Sequence, residues 1–204
     1  MRFCDEGSFG FGWQDDHDSL RRTSHALTTP DGVWLVDPVA WGDAEARVQE
    51  SGEVRGVVQL LDRHERDCAA VAARLGVTHH VVPTDAIDGA PFQLFPVARS
   101  RWWRESALWW PEARVLVVAD ALGTVGYFRA PGESLGVHPL LRLRPPKALS
   151  RVFPEHVLTG HGAGVHQNAA HALHASLRTA RRRLPAALWS AVRSGRPSRH
   201  PEPR

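Results

Sequence analysis

The sequence is poor in lysine, in cysteine and in long apolar runs, and each shortage excludes something. No apolar run approaches the roughly 20 residues that cross a bilayer, so no membrane span is expected. Two cysteines, Cys4 and Cys68, are too few and too far apart for a disulfide scaffold. A reduced, cytoplasmic setting is therefore expected, with Cys68 a small core residue and Cys4 a mobile free thiol. The start, MRFCDEGSFGFGWQDD, carries acids and no apolar core, so no secretory signal is expected there. Lys147 is the single lysine among 25 basic side chains, and an arginine excess of that size reads as a genome-wide bias as much as a functional choice.

What is present is ordinary globular composition. The 204 residues are 43% hydrophobic and 23% charged, which excludes wholesale disorder and fits one domain. That domain is read as residues 1–195, followed by a basic, proline-rich tail at 196–204 that is expected to be disordered. The charge is uneven. Residues 178–204 hold 8 arginines and one acid, whereas residues 1–177 hold 17 basic and 21 acidic side chains. A single-stranded nucleic-acid surface needs cations interleaved with aromatics along one groove. The body shows no such run, so nucleic acid is not an expected partner.

Along the chain, TTPDGVWLVDP (28–38) reads as a hairpin turning at Pro-Asp-Gly and ending at Pro38. GVVQLLD (56–62) has the continuous apolar character of a strand covered on both faces. RDCAAVAARLG (66–76) reads as a helix with Gly76 beyond its end, and HHVV (79–82) as a parallel strand, closing a βαβ unit. APFQLFPV (90–97) and SALWW (106–110) read as strands around the turn ARSRWWRE. RVLVVAD (114–120) is the strongest strand, and TVGYF (124–128) is expected to pair with it. PPKALSRVF (145–153) reads as a short helix, HVLTGHG (156–162) as a strand, and residues 166–181 and 184–195 as helices.

Open sheets place chemistry in the loops at strand carboxyl ends. Four such ends carry polar residues: Asp37, the run Asp62 to Asp67, Asp120 and His161. A lone aspartate there is most often a cap or a turn former. His161, between two glycines, is expected to have its backbone closely approached and its imidazole exposed. His79 and His80 point to opposite faces of a strand and cannot join one site. His171 and His174 share a helix face with no carboxylate and read as surface residues. Trp102 and Trp103, bracketed by Arg101 and Arg104, read as a pocket lip or an interface patch. The run Gly7-x-x-Gly10-x-Gly12 follows no strand and opens no helix, so it is not a nucleotide loop.

In order and spacing, DGVWLVDP (31–38), VVQLLDRHERDCAAVAARLG (57–76), ALWWPEARVLVVADAL (107–122) and HVLTGHG (156–162) resemble the metallo-β-lactamase superfamily. The resemblance spans about residues 25–175. It implies an α+β fold, a four-layer αββα sandwich. It also implies a two-zinc centre whose first ligands come from a His-x-His-x-Asp-His motif. On this sequence that motif falls on Asp62, His64, Arg66 and Asp67; the bridging aspartate falls on Asp120 and the last histidine on His161. The middle histidine is missing, since residues 81–137 contain none.

These departures carry a physical consequence. Arg66 in the place of a metal-binding aspartate removes an anionic ligand and adds a cation that cannot deprotonate, so the two-ion site is expected to be lost. Two pictures remain. One ion, zinc, iron or manganese, is held by His64, Asp67, Asp120 and His161. Alternatively, Arg66 fills the vacated space with a salt bridge to Asp120 or Asp67, no cofactor is present in full occupancy, and Arg66→Asp should raise zinc affinity. The second picture is favoured because it satisfies the buried carboxylate without an ion. The function it implies is a binding or interaction protein for an unidentified small-molecule or protein partner, with Asp37, Asp62 and Arg66 lining the cleft. The alternative is a hydrolase of an ester, thioester or phosphoester with an altered metal site, in which Asp120 and His64 are catalytic.

Overall fold

The computed structural model describes residues 1–15, 20–39, 41–64 and 66–194. Glu65 and the tail at 196–204 lie outside the described residues. The first sheet runs in the order β1 (Arg2–Gly7), β2 (Gly10–Gln14), β3 (Thr23–Thr29), β4 (Gly32–Val36), β5 (Val54–Gln59), β6 (Thr78–Val81). Its first three pairings are antiparallel; β4 with β5 and β5 with β6 are parallel. The second sheet is built from β7 (Gln93–Ser100), β8 (Trp103–Trp110), β9 (Val115–Val118) and β12 (His156–Thr159), in the order β12-β9-β8-β7. Here β12 pairs parallel with β9. A two-stranded ribbon, β10 (Leu122–Gly123) with β11 (Gly136–Val137), stands apart.

Alternation along the strands sorts side chains into three cores. Val58, Trp34 and Val36 of the first sheet meet Leu108, Val115 and Val117 of the second in a layer between the sheets. Val57, Val33 and Leu35 point the other way, onto α1 (Trp41–Ser51) and α2 (Cys68–Leu75) through Trp41, Val48 and Val71. Leu116 and Val118 face outward onto Leu149 and onto Leu173 of α3 (Ala169–Thr179). Each such side chain contributes about 1.5–3 kcal/mol of transfer free energy. The result is an αββα sandwich with the expected four layers. A last helix, α4 (Leu184–Ser194), packs beside the short 3-10 turn at Pro139–Leu141. No helix among the described residues is long and apolar enough to cross a membrane.

Several local expectations are corrected. The glycine-rich start forms the β1–β2 hairpin, held by Phe3 against Phe11 and by Arg47 over both rings. Cys4 therefore lies within a strand, its thiol 3.4 Å from Asp5. The hairpin turn at Pro30-Asp31 and the left-handed Gly76 after α2 (φ 67°) are as expected. TVGYF makes no strand. Phe128 folds back onto Gly123, where a Cβ would meet its ring at 2.5 Å. The segment 145–153 yields only a 3-10 turn, Lys147–Arg151. His79 and His80 are both half-buried.

Candidate metal centre

Two parallel strand pairs, one from each sheet, end at the same place. Asp37 follows β4 and His64 lies in the turn after β5; Asp120 follows β9 and His161 follows β12. Parallel pairing brings like ends together, so four distant segments converge. Gly160 permits the closest approach: a Cβ there would meet the Ala119 carbonyl oxygen at 2.8 Å. Gly162 adopts φ 88°, which favours glycine. His161 is thereby drawn inward and is only 6% exposed, against the expectation of an exposed ring.

His64 Nε2 lies 2.8 Å and His161 Nε2 3.1 Å from the same oxygen, Asp120 Oδ1. Donor atoms of the three residues all fall within 4.8 Å of one another. The far side of each imidazole is engaged too. His64 Nδ1 is 3.3 Å from Asp37 Oδ2, and His161 Nδ1 is 3.0 Å from the Leu20 carbonyl oxygen. Both partners only accept, so both Nδ1 atoms carry hydrogen. The Nε2 atoms then either bear a second proton or aim lone pairs at a carboxylate. A lone pair facing a carboxylate is repulsive unless a cation sits between them. Two imidazole nitrogens and one carboxylate, with carboxylate and carbonyl behind the rings, is a donor set that fits a zinc or iron ion.

Electrostatics agree with this picture. Burial works to raise the Asp120 carboxyl, but hydrogen bonds from His161 and His64 hold it well below the ordinary carboxylate range. Burial also opposes the charge on Asp37, and His64 with Arg66 overcomes it, leaving Asp37 lowered. Burial and the Arg66 charge push His64 down, while Asp120 and Asp37 push harder and leave it raised.

The remaining expected site residues divide. Asp67 lines the same open cleft, about 480 Å³, together with Arg63, Arg66 and the three cluster residues, but it stands outside the converging cluster. Asp62 turns away to Arg104, 3.5 Å distant. Arg66 does not form the expected salt bridge. Its guanidinium donates to three carbonyl oxygens: Thr23 at 2.7 Å, Asp37 at 3.1 Å and Gly160 at 3.0 Å. Among the described residues no carboxylate pairs with it.

Two residues that matter here went unread. Glu105 of β8, fully buried, takes Ala119 N–H at 3.1 Å and Ala121 N–H at 2.9 Å on one oxygen, and the Trp103 indole N–H at 2.8 Å on the other. It thus grips the backbone on both sides of Asp120. Burial, with Asp120 close by, raises Glu105 to about 8. His138 packs on Trp103 with ring centroids 4.7 Å apart, and burial lowers it to about 4. Phe128 stacks on His161 at 5.5 Å. A glutamate within a tryptophan-rich strand was the available signal for Glu105. The burial of Trp103 also removes it from any exposed patch; Trp102 alone stands out, 72% exposed.

No family model and no curated protein matches the chain. Solved structures do. DIM-1 metallo-β-lactamase is similar at 13% identity and TM-score 0.56, over 88% of this chain and 97% of that one. TTHA1623 in a di-iron-bound form is similar at 17% identity and TM-score 0.56, over 80% and 98%. The metallo-β-lactamase FIM-1 from Pseudomonas aeruginosa, in the mono-zinc form, is similar at 11% identity and TM-score 0.54, over 89% and 95%. Likeness at such low identity concerns the fold alone, and it agrees with the four-layer sandwich: the chain is a divergent protein of the metallo-β-lactamase fold.

Proposed function

We propose that the chain binds one divalent ion on His64, Asp120 and His161, in place of the two-ion centre that the resemblance implies, and hydrolyses an ester, thioester or phosphoester. The observation that carries this reading is the paired Nδ1 contacts, which leave both Nε2 atoms aimed at Asp120 Oδ1. A bound ion supplies Lewis acidity and a water acidified toward neutral pH. His64 and His161 would hold it through Nε2 and Asp120 through Oδ1, while Asp37 and the Leu20 carbonyl fix the ring orientations. Arg63 lines the cleft and can orient an anionic or carbonyl oxygen of the substrate. Among the described residues little remains for a second ion: Asp62 faces Arg104, and Arg66 is a fixed cation. Both cysteines are free, which suits the cytoplasmic setting proposed.

A second reading rests on Arg66, whose charge in the cleft opposes a bound cation. There the site binds an anionic small molecule without metal or turnover. Metal analysis after zinc loading and desalting separates the two. The first reading expects about one equivalent in the unmodified protein, a loss of it in His161→Ala and Asp120→Ala, and hydrolysis of a p-nitrophenyl ester or bis(p-nitrophenyl) phosphate that follows metal content. No retained metal overturns it.

A further inference from the structure

A separate groove of about 850 Å³ lies outside the second sheet, between the Lys147–Arg151 turn and α3. It shares no lining residue with the metal cleft. Arg144 and Lys147 form one wall; Arg178 and Arg181 form the other. His174, Arg178 and Arg181 follow one another at helical spacing, so they share a face. No carboxylate lines the groove, and none of the four cations forms an ion pair with a described residue. The only lysine of the chain is among the four.

Four like charges gathered without a counter-charge repel one another and attract a polyanion. The groove also offers ring surface. Phe153 is 61% exposed, and its ring lies 4.8 Å from that of His174, which lines the groove. Leu177 and Pro146 add an apolar floor. Cations beside an exposed aromatic face match what phosphates and unstacked bases together require. We infer that this groove binds a single-stranded nucleic acid, its phosphates on the four cations and a base against Phe153. The sequence did not suggest it because the parts lie in two segments, 144–153 and 174–181, that only the fold brings together. The inference is independent of the metal centre.

Fluorescence anisotropy of the full chain with a labelled 15-nucleotide oligouridine tests it. Affinity should fall with salt, log K against log salt having a slope of about −2 to −3, since each neutralised phosphate contributes about −0.7 on a single strand. Arg144→Glu with Arg178→Glu should weaken binding at least about 10-fold and flatten the slope. Phe153→Ala should weaken it roughly 10-fold with the slope unchanged. All these positions are exposed, and melting curves confirm that the variants fold. Absence of binding at low salt overturns the inference, as does full affinity in the double variant. Equal competition by inorganic polyphosphate, with Phe153→Ala indistinguishable from the unmodified chain, also overturns it, because the groove would then read charge alone.

Discussion

The guanidinium of Arg66 donates at 3.0 Å to the carbonyl oxygen of Gly160, tying the turn after β5 to the end of β12 across 94 positions of sequence. Its other bonds reach the Thr23 and Asp37 carbonyls. One side chain therefore fastens three segments around the candidate centre. The Gly160 and Asp37 carbonyls keep other donors, the Thr23 N–H and the Ser24 hydroxyl, so what Arg66→Ala loses is three charge-assisted bonds, and it should lower stability by about 1–3 kcal/mol. Arg66→Asp should be worse, because a carboxylate would face three carbonyl oxygens. Although Arg66→Asp removes a cation from the cleft, it should bind zinc more weakly than the unmodified chain, because the lost bonds hold Asp37 and the residue before His161 in place. Urea unfolding and zinc titration of the two variants check this, and tighter zinc binding by Arg66→Asp would contradict it.

Glu105 should behave as the positioning residue for Asp120. Glu105→Ala leaves three buried N–H donors without an acceptor, at about 1–3 kcal/mol for each group. Glu105→Gln keeps one oxygen for Ala119 and Ala121 but turns a donor or a mismatched oxygen toward Trp103. The expected order of thermal stability is unmodified chain, then Gln, then Ala, and zinc affinity should fall in the same order. Unchanged zinc affinity in a folded Glu105→Ala protein would show that Asp120 needs no such support.

The metal-free protein should be most stable around pH 6. Asp37 and Asp120 are lowered, so their contribution is present above about pH 4 and is lost as pH falls through the ordinary carboxylate range. His138, held at about 4 by burial, acts in the same direction, because charging it costs stability below its unfolded value. His64 is raised, so its contribution is full below about pH 6.5 and is lost as pH rises through its folded value. Glu105, raised to about 8, also weakens the fold as pH climbs. Zinc replaces the proton on His64 and should restore stability on the alkaline side. Melting of chelator-treated and zinc-loaded protein from pH 3 to 9 checks this; a chelated protein that grows steadily more stable up to pH 9 would contradict it.

The two adjacent tryptophans should separate cleanly. Trp103 is buried between Arg63, 4.2 Å above its ring, and His138. Trp103→Ala should cost about 3–5 kcal/mol. Trp102 sits at the tip of the β7–β8 hairpin, and Trp102→Ala should change stability by less than about 0.5 kcal/mol. Denaturation midpoints measure both.

What could be read in advance divides along physical lines. VVQLL and VLVVA announced central strands because cover on both faces demands unbroken apolar runs. Asp120 and His161 were singled out by the resemblance and by their places at strand ends, and the fold brings both beside His64. FGFGW was not read as a strand, since its glycines hide the alternation that Phe11 and Trp13 carry into the helix-facing core. Helix α1 went unread although Trp41, Ala44 and Val48 have helical spacing and are buried together. The partners of Arg66 could not be foreseen, because main-chain carbonyls leave no trace in side-chain identity. Glu105 read as the end of the polar turn ARSRWWRE, but β8 starts at Trp103 and carries it into the sheet, where it is buried.

Parallel pairing of β12 with β9 sets Thr159 beside Val118, and with it a timetable. At about 5–20 residues per second of synthesis, a growing chain that has emerged only through β11 owns His64 and Asp120 but lacks the third donor. Joining distant strands side by side is the slow part of folding such topologies. An ion held on all three donors would therefore be captured only after β12 has docked, and its capture would report a finished sheet. A chain that misplaces its last strand would be marked by failing to retain the ion.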